Sequence, residues 1–330
     1  MQRFPGFPLA ALVLAAVLAA PAATAQKSAA RGVTTGTFGG FPEALTLEAR
    51  KEPVKLVLVP AAGGRVAFFG REGRNFLWEG TGSGDSKAGA YTDIGPDTAN
   101  LGPRPAITDG AYDWSAPRAF AVRLRSAEEQ GVSVAAGREA TLDPETGEAG
   151  LLHRMKNIGQ RQVARSFLER IQVPRGGFVL LPVNAKSRFP AKWSARREEG
   201  GRAVYDGRSP SVEGVKLLDD VLVAATTGPG GRIGTDGDAQ WLAYVRDREM
   251  LVIHFPAFGT GIYAQGGNTA EAAWNADFVT LMPLSPEVQL REGKSYDFPT
   301  KWMIIPLDAP VTTHEEARAA AALVPSSPFL

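Results

Sequence analysis

From Leu45 onward the chain is written in short apolar runs separated by glycine, proline and charged turns, a pattern of strands rather than helices. Phe120, Val122 and Leu124 alternate with Ala121 and Arg123, the period of two that turns one side of a strand towards a core. A turn at Glu128–Gly131 leads into Val132–Ala136, and Pro144-Glu145-Thr146-Gly147 turns again into Leu151–Lys156. The same reading predicts strands at Thr46–Arg50, Val54–Val59, Arg65–Phe69, Asn75–Trp78, Val163–Val173, Phe178–Pro182, Val221–Thr226, Gln240–Val245, Met250–Phe255, Phe278–Leu281 and Lys301–Ile305. Residues 80–118 are rich in Gly, Pro and Asp with little periodicity, and predict a long loop that is either functional or poorly ordered. Only Glu315–Leu323 reads as a helix: it is Ala-rich, with Thr313 and Glu316 at capping-box spacing. Many strands at meander spacing over about 260 residues predict an all-β fold, one large antiparallel sandwich ending in a short C-terminal helix.

The first residues break this pattern. Arg3 precedes an uninterrupted apolar stretch, Leu9–Ala20, that Pro21 ends, and Ala23-Thr24-Ala25 supplies the small residues a signal peptidase reads. The stretch is shorter than the roughly 20 apolar residues a spanning helix needs. Residues 1–25 therefore predict a signal peptide, and a periplasmic or secreted chain beginning near Gln26 with no membrane span. Residues 26–44 are small and polar at first and predict a flexible leader, followed by a single domain over 45–330.

Charge and cysteine narrow the chemistry. The chain holds 36 Lys and Arg against 35 Asp and Glu, and loss of Arg3 with the leader would equalise them. No whole-chain footprint for nucleic acid or anionic lipid follows. Cysteine is absent, which removes disulfides, thiolate nucleophiles and Cys-ligated zinc. There is no Gly-rich phosphate loop, no paired-histidine zinc motif and no nucleophile elbow, so no cofactor is expected.

Several segments carry a likeness to a known superfamily. Pro60, Gly63-Gly64-Arg65-Val66 and Asn75-Phe76-Leu77-Trp78 read as an entry hairpin, and "MKNIGQRQVARSFLERIQVP" (155–174) as an asparagine, a turn and a long strand. "GGRIGTDGDAQWLAYVRDREMLVIHFP" (230–256) reads as a later hairpin, with Arg232 where a basic residue is usual. "GGNTAEAAWNADFVTLMPLSPEVQLREGKSYDFPTKWMIIPL" (266–307) gives a strand, a Ser-Pro break, a turn and a closing strand with Trp302. In that order, across residues 45–308, they resemble the galactose mutarotase-like (aldose 1-epimerase-like) β-supersandwich proteins, in particular an exported branch of them. The resemblance implies a supersandwich with a groove suited to sugars.

Mutarotation moves a proton between the anomeric hydroxyl and the ring oxygen, which takes a general acid and a general base. Members that catalyse it use a glutamate and histidines in the groove. Here the histidines are His153, His254 and His314. His153 precedes the Asn157 turn, whereas the resemblance implies a histidine after it, where Ser166-Phe167-Leu168-Glu169-Arg170 stands instead. The late strand reads Thr280-Leu281-Met282 in place of a Glu-Leu-Glu pattern. His314, at the start of the helix, reads as a surface residue.

The remaining candidates each have two readings. Glu169 shares a strand face with Val163, Arg165, Phe167, Ile171 and Val173, so it is either a groove acid for sugar hydroxyls or a partner in a salt bridge to a neighbouring strand's Arg. Trp78 and Trp302 read as packing; Trp114 and Trp193 sit in irregular polar stretches and read as sugar platforms. Trp193 is flanked by Lys192, Arg196 and Arg197, a cluster that suits an acidic sugar or is simply solvated. Asp93, Asp97, Asn100, Arg104, Asp109 and Asp113 line the long loop, but their spacing fits no calcium loop, and no metal is expected. Glu169, Arg170, Lys192, Trp193, Glu271 and Trp274 are thus the expected ligand-binding residues. The expected function is an exported carbohydrate-binding or carbohydrate-associated protein without the standard mutarotase groups. The alternatives are an epimerase- or lyase-like enzyme using Glu169 or Glu271, and a structural envelope protein with a vestigial groove.

Overall fold

The computed structural model describes residues 30–80, 88–96 and 101–329. The expected signal peptide, Asp97 and Asn100 lie outside the described residues. Two antiparallel sheets stack face to face, one of 13 strands and one of 10 among the described residues. The larger runs from the edge strand Val33–Phe38 through Ala90–Gly95, Val163–Pro174, Phe278–Pro283, Ala270–Trp274 and Gly231–Thr235 to Arg202–Asp206 at the far edge. The smaller runs from Val215–Leu218 through Phe178–Pro182, Trp241–Arg246, Glu249–His254, Ser295–Pro306, Ala149–Asn157 and Val134–Leu142 to Asp113–Ser115.

Alternation along the strands makes the core. In Val134–Leu142 every second residue is buried, so Val134, Ala136, Ala140 and Leu142 face inward while Gly137 and Glu139 face out. Leu45, Leu47, Leu56, Leu58, Phe69, Phe167 and Ile171 from one sheet meet Leu251, Ile253, Phe298 and Trp302 from the other. Phe69 stacks edge-on against Trp302, ring centroids 5.7 Å apart. Each such side chain contributes about 1.5–3 kcal/mol by leaving water.

Phe178–Pro182 has no exposed position because the smaller sheet is covered on its second face too. There Phe178, Leu180, Val221, Val223 and Val252 pack under Ala317, Ala320 and Ala321 of the C-terminal helical segment. His314–Ala320 begins with the capping box expected from Thr313 and Glu316. His314 is not simply on the surface: its ring lies edge-on to Phe178 and Nε2 sits 2.7 Å from the Gly214 carbonyl.

Three segments depart from expectation. Residues 33–44 do not lead flexibly into the fold: Val33–Phe38 pairs with Phe41–Glu48, burying Val33 and Ala44. Small polar residues hid this pairing because an edge strand is wet on both sides of its backbone. The 80–118 stretch contains the strands Ala90–Gly95 and Asp113–Ser115 and the helical turn Pro105–Thr108. The Asn75–Trp78 run is strand only at Arg74–Asn75; Asn75 turns its side chain back to Phe69 and Ala67, and Trp78 donates its backbone N–H to the Gln172 carbonyl while its ring packs on Phe278. The Gly63-Gly64 turn needs glycine. Both have positive φ, and a Cβ on Gly63 would lie 2.1 Å from the Thr108 carbonyl oxygen.

Candidate functional site

Residues directly opposite one another on paired strands share a face, so the register can be followed across the larger sheet. Arg170 faces Tyr91. On the other side, Ile171 pairs with Leu281, which brings Met282 alongside Arg170, with Sδ 3.8 Å from Nη1. Met282 faces Glu271, Glu271 faces Gly234, and Gly234 faces Ser194. Their neighbours Ile94, Ile171, Leu281 and Ala272 point into the core. The row Tyr91, Arg170, Met282, Glu271, Gly234, Ser194 therefore lies on the outer face of the larger sheet.

Two carboxylates stand on this face and both are held by guanidinium groups. Asp93 takes a two-pronged contact from Arg104, Nε to Oδ1 at 2.6 Å and Nη2 to Oδ2 at 2.8 Å, and Arg170 Nε lies 3.4 Å from Oδ2. Glu271 receives Arg232 Nε at 2.8 Å and Nη2 at 2.5 Å, and the Asn268 amide donates to its other oxygen at 2.9 Å. Ser194 Oγ in turn donates to Asn268 Oδ1 at 3.0 Å. This chain depends on Gly234: a Cβ there would sit 2.5 Å from the Asn268 side chain. Such charge-assisted pairs engage both carboxylates with groups of the protein's own fold.

The middle of the face is apolar. Leu168, Met282 and Leu284 pack under Tyr263, whose hydroxyl accepts from the Phe258 backbone N–H at 2.9 Å. Burial raises the pKa of both Tyr91 and Tyr263, and Arg170 opposes the shift at Tyr91. Both phenols therefore stay protonated near neutral pH. Beside Tyr263 a cavity of about 140 Å³ opens between Asn184, Arg188, Asp236, Asp238, Phe258 and Thr269. Asp236 is fixed there by Ser187 Oγ at 2.6 Å and the Arg188 N–H at 2.7 Å. Phe258 and Ile262 stand 48% and 70% exposed on the neighbouring loop, which makes them the apolar rim of the site.

Of the expected ligand-binding residues, Arg170 and Glu271 share this face. Lys192 is exposed on a turn with φ of 67°. Trp193 and Trp274 point inward and belong to the main core, Trp274 donating to the Pro229 carbonyl at 2.8 Å. Trp114 is also core, in Asp113–Ser115. Arg196 and Arg197 pair with Glu198 and Glu199 along the strand that Ser194 begins.

Glu169 lines no outer groove. Alternation turns it inward, fully buried between the sheets, with His153 Nε2 of the opposing sheet 3.0 Å away. Neither of its oxygens receives a well-directed hydrogen bond. His153 Nδ1 meets Thr92 Oγ1 at 2.8 Å, and Arg138 donates to Thr92 and, at 3.2 Å, to the Gly64 carbonyl. Burial pushes the His153 pKa down against the pull of Glu169, and pushes Arg138 down likewise. The partner is a histidine across the sandwich, with an arginine charge nearby, rather than an arginine on an adjacent strand.

No histidine stands on the outer face. His153 is between the sheets, His254 is buried in the smaller sheet beside Trp241 and Lys301, and His314 is on the helix. Among the described residues no cluster of three metal-ligating side chains occurs. Sequence reasoning missed Asn268, Tyr263 and Phe258. The only signal for them was the irregular, aromatic-bearing stretch between Phe255 and Ala270.

No protein-family model matches the chain, and no curated protein matches it by sequence. Solved structures do match by shape. An aldose 1-epimerase candidate of Escherichia coli K12 superposes with a TM-score of 0.60 at 12% identity, covering 84% of this chain and 100% of its own. A galactose mutarotase-like protein of Clostridium acetobutylicum gives 0.57 at 10% identity over 83% and 98%. One from Lactobacillus casei gives 0.54 at 10% identity over 79% and 100%. The likeness read from residues 45–308 is thus a likeness of the whole sandwich, and the chain has the galactose mutarotase-like fold.

Proposed function

We propose that this is an exported carbohydrate-binding protein whose site is the outer face of the larger sheet, and that it is not a conventional mutarotase. The observation that carries the reading is the cavity lined by Asn184, Arg188, Asp236, Asp238 and Thr269 and rimmed by the exposed Phe258. It offers oriented acceptors and donors for sugar hydroxyls, and an exposed aromatic ring suits the apolar face of a pyranose. The mutarotase-like names of the structural neighbours support a carbohydrate ligand. Acid–base chemistry is disfavoured because no histidine stands on this face, its carboxylates are engaged by arginines, and Met282 occupies the late-strand position. Glu169, walled into the core, serves neither catalysis nor binding. The Arg188 guanidinium, at the cavity and 3.6 Å from Asp236, is the group that an acidic sugar would meet. The leader at residues 1–25 supports export.

Calorimetric titration with neutral sugars, uronic acids and their oligomers tests the reading, with anomer exchange followed by NMR in the same samples. Saturable binding is expected, weakened tenfold or more by Phe258→Ala and Arg188→Ala, with no acceleration of exchange. Absence of binding across the panel, or exchange accelerated well above buffer, would overturn it.

A further inference from the structure

A second charged surface lies on the opposite side of the molecule, on the outer face of the smaller sheet. There the register sets Arg125 opposite Gly137, and Gly137 opposite Arg154. Two arginines thus flank one residue with no side chain, their Cα atoms two strand spacings apart, or about 10 Å. In the adjoining row Ala135 faces Lys156 on one side and Glu128 on the other. The floor is Gly137 and Ala135, the walls are Arg125, Arg154 and Lys156 with Glu128 at one corner, and the space enclosed is about 460 Å³. That lies within the range of small-molecule sites.

The charges do not cancel. Arg123 is paired with Glu139 at 2.8 Å, and Arg154 with Asp297 at 2.5 Å. Glu128 takes the Gln130 amide at 3.1 Å. Arg125 and Lys156 have no carboxylate partner among the described residues, although both border the cavity. The strand carrying Arg125 is bulged between Arg125 and Glu128, so its pairing with the neighbouring strand shifts at the rim of the pocket. Cations at that density repel one another, and an anion between them relieves the repulsion while meeting the fork of Arg125 and the outer N–H groups of Arg154, whose Nε edge is held by Asp297.

We propose that this pocket binds a small multivalent oxyanion, with one carboxylate or phosphate group seated over Gly137 between Arg125 and Arg154 and a second at Lys156. The site is separate from the carbohydrate face and does not depend on it. A free polycarboxylate, a phosphate ester and an acidic oligosaccharide share this chemistry.

Citrate, pyrophosphate and digalacturonate, each titrated calorimetrically into the full chain at low and high salt, separate these sources. At least one is expected to bind saturably with one equivalent. Arg125→Ala with Lys156→Ala is expected to weaken binding roughly tenfold or more. Ala135→Leu, which fills the floor without touching a charge, is expected to do the same, and circular dichroism confirms that each variant is folded. Phe258→Ala, on the opposite face, is expected to leave the binding of citrate or pyrophosphate unchanged. No saturable binding of any of the three would overturn the proposal, as would binding that survives both pocket variants. Loss of citrate or pyrophosphate binding in Phe258→Ala would also overturn it, by placing the ligand on the carbohydrate face.

Discussion

Replacing Glu169 by Gln tests the account of the interior most sharply. The substitution keeps shape and removes one charge from a group with no exposed surface. Arg138, itself 3% exposed, then keeps its positive charge in the core with only Thr92 and the Gly64 carbonyl as partners. Glu169 acts on Arg138 through space, and the roughly 3–5 kcal/mol cost of breaking a buried pair from one side sets the upper scale, because the remaining charge loses its counter-charge and cannot recover its water. Unfolding entropy of about 2.1 cal/mol/K per residue gives roughly 0.7 kcal/mol/K for a chain of 330 residues, so the melting temperature should fall by up to about 4–7 °C. Calorimetric melting at pH 7.5 reads this directly. The companion variant Glu169→Leu with Arg138→Met removes both charges and should recover most of the loss, since well-packed apolar replacements of buried pairs are often neutral or better. A Glu169→Gln shift below about 1 °C would refute the reasoning, because a charge that matters so little is not buried beside another. A double variant worse than the single would refute it differently, by showing that the two groups do not compensate each other.

Two further outcomes follow from the same geometry. Burial lowers the His153 pKa, so folding favours the neutral ring; its stability contribution is fully present above pH 6.5 and is lost as pH falls below it. Melting between pH 8 and pH 5 should therefore steepen below pH 6.5 by up to about 1.4 kcal/mol per pH unit, roughly 2 °C, and His153→Asn should remove that increment. An unchanged slope in the variant would assign the effect elsewhere, and His254, also pushed down by burial, is the group to replace next. Gly234→Ala should displace Asn268 from Glu271, since the new methyl would overlap the amide. Loss of a hydrogen bond to a buried carboxylate costs about 1.5–3 kcal/mol, or roughly 2–4 °C, and a shift under 1 °C would show that Asn268 has room to move.

Strand placement was legible because burial wrote it into the period. Val54–Val59 and Phe178–Pro182 have the predicted bounds, and Val163–Pro174 extends the predicted run by one residue. Failure came where side chains do not report the backbone's partner. Val33–Phe38 is a sheet edge made of Thr and Gly, and Ala90–Gly95 pairs with Val163–Pro174 although its sequence looks like loop. The candidate site was half legible for the same reason. Arg170 and Glu271 could be placed on a strand face, but which face was outward depended on pairing between residues more than 100 positions apart. Glu169 was the instructive case: alternation correctly joined it to Phe167 and Ile171, and that face proved to be the core. Trp193 and Trp274 were misplaced because an aromatic ring suits a sugar and a core equally well, and only the neighbouring strands decide.

The position of the charges also bears on what the outer face can do. Catalysis of proton transfer needs a carboxyl group whose two protonation states lie close in free energy, since it must hold a proton in one step and release it in the next. Arg104 and Arg170 hold Asp93, and Arg232 and Asn268 hold Glu271, so each carboxylate is already engaged within the fold. The more completely these groups satisfy the carboxylates, the less freely either side chain turns toward a reacting atom. Rigid acceptors, protonated phenols and donors already oriented by one another are what recognition of a hydroxyl-rich ligand requires, because little ordering remains to be done on binding. The features that weaken the case for a mutarotase therefore strengthen the case for a binding surface. Arg232→Ala separates the two demands. It removes the guanidinium group that holds Glu271, so it should weaken sugar binding without raising anomer exchange. A variant that binds as tightly as the parent would show that the Arg232–Glu271 pair orders nothing the ligand touches.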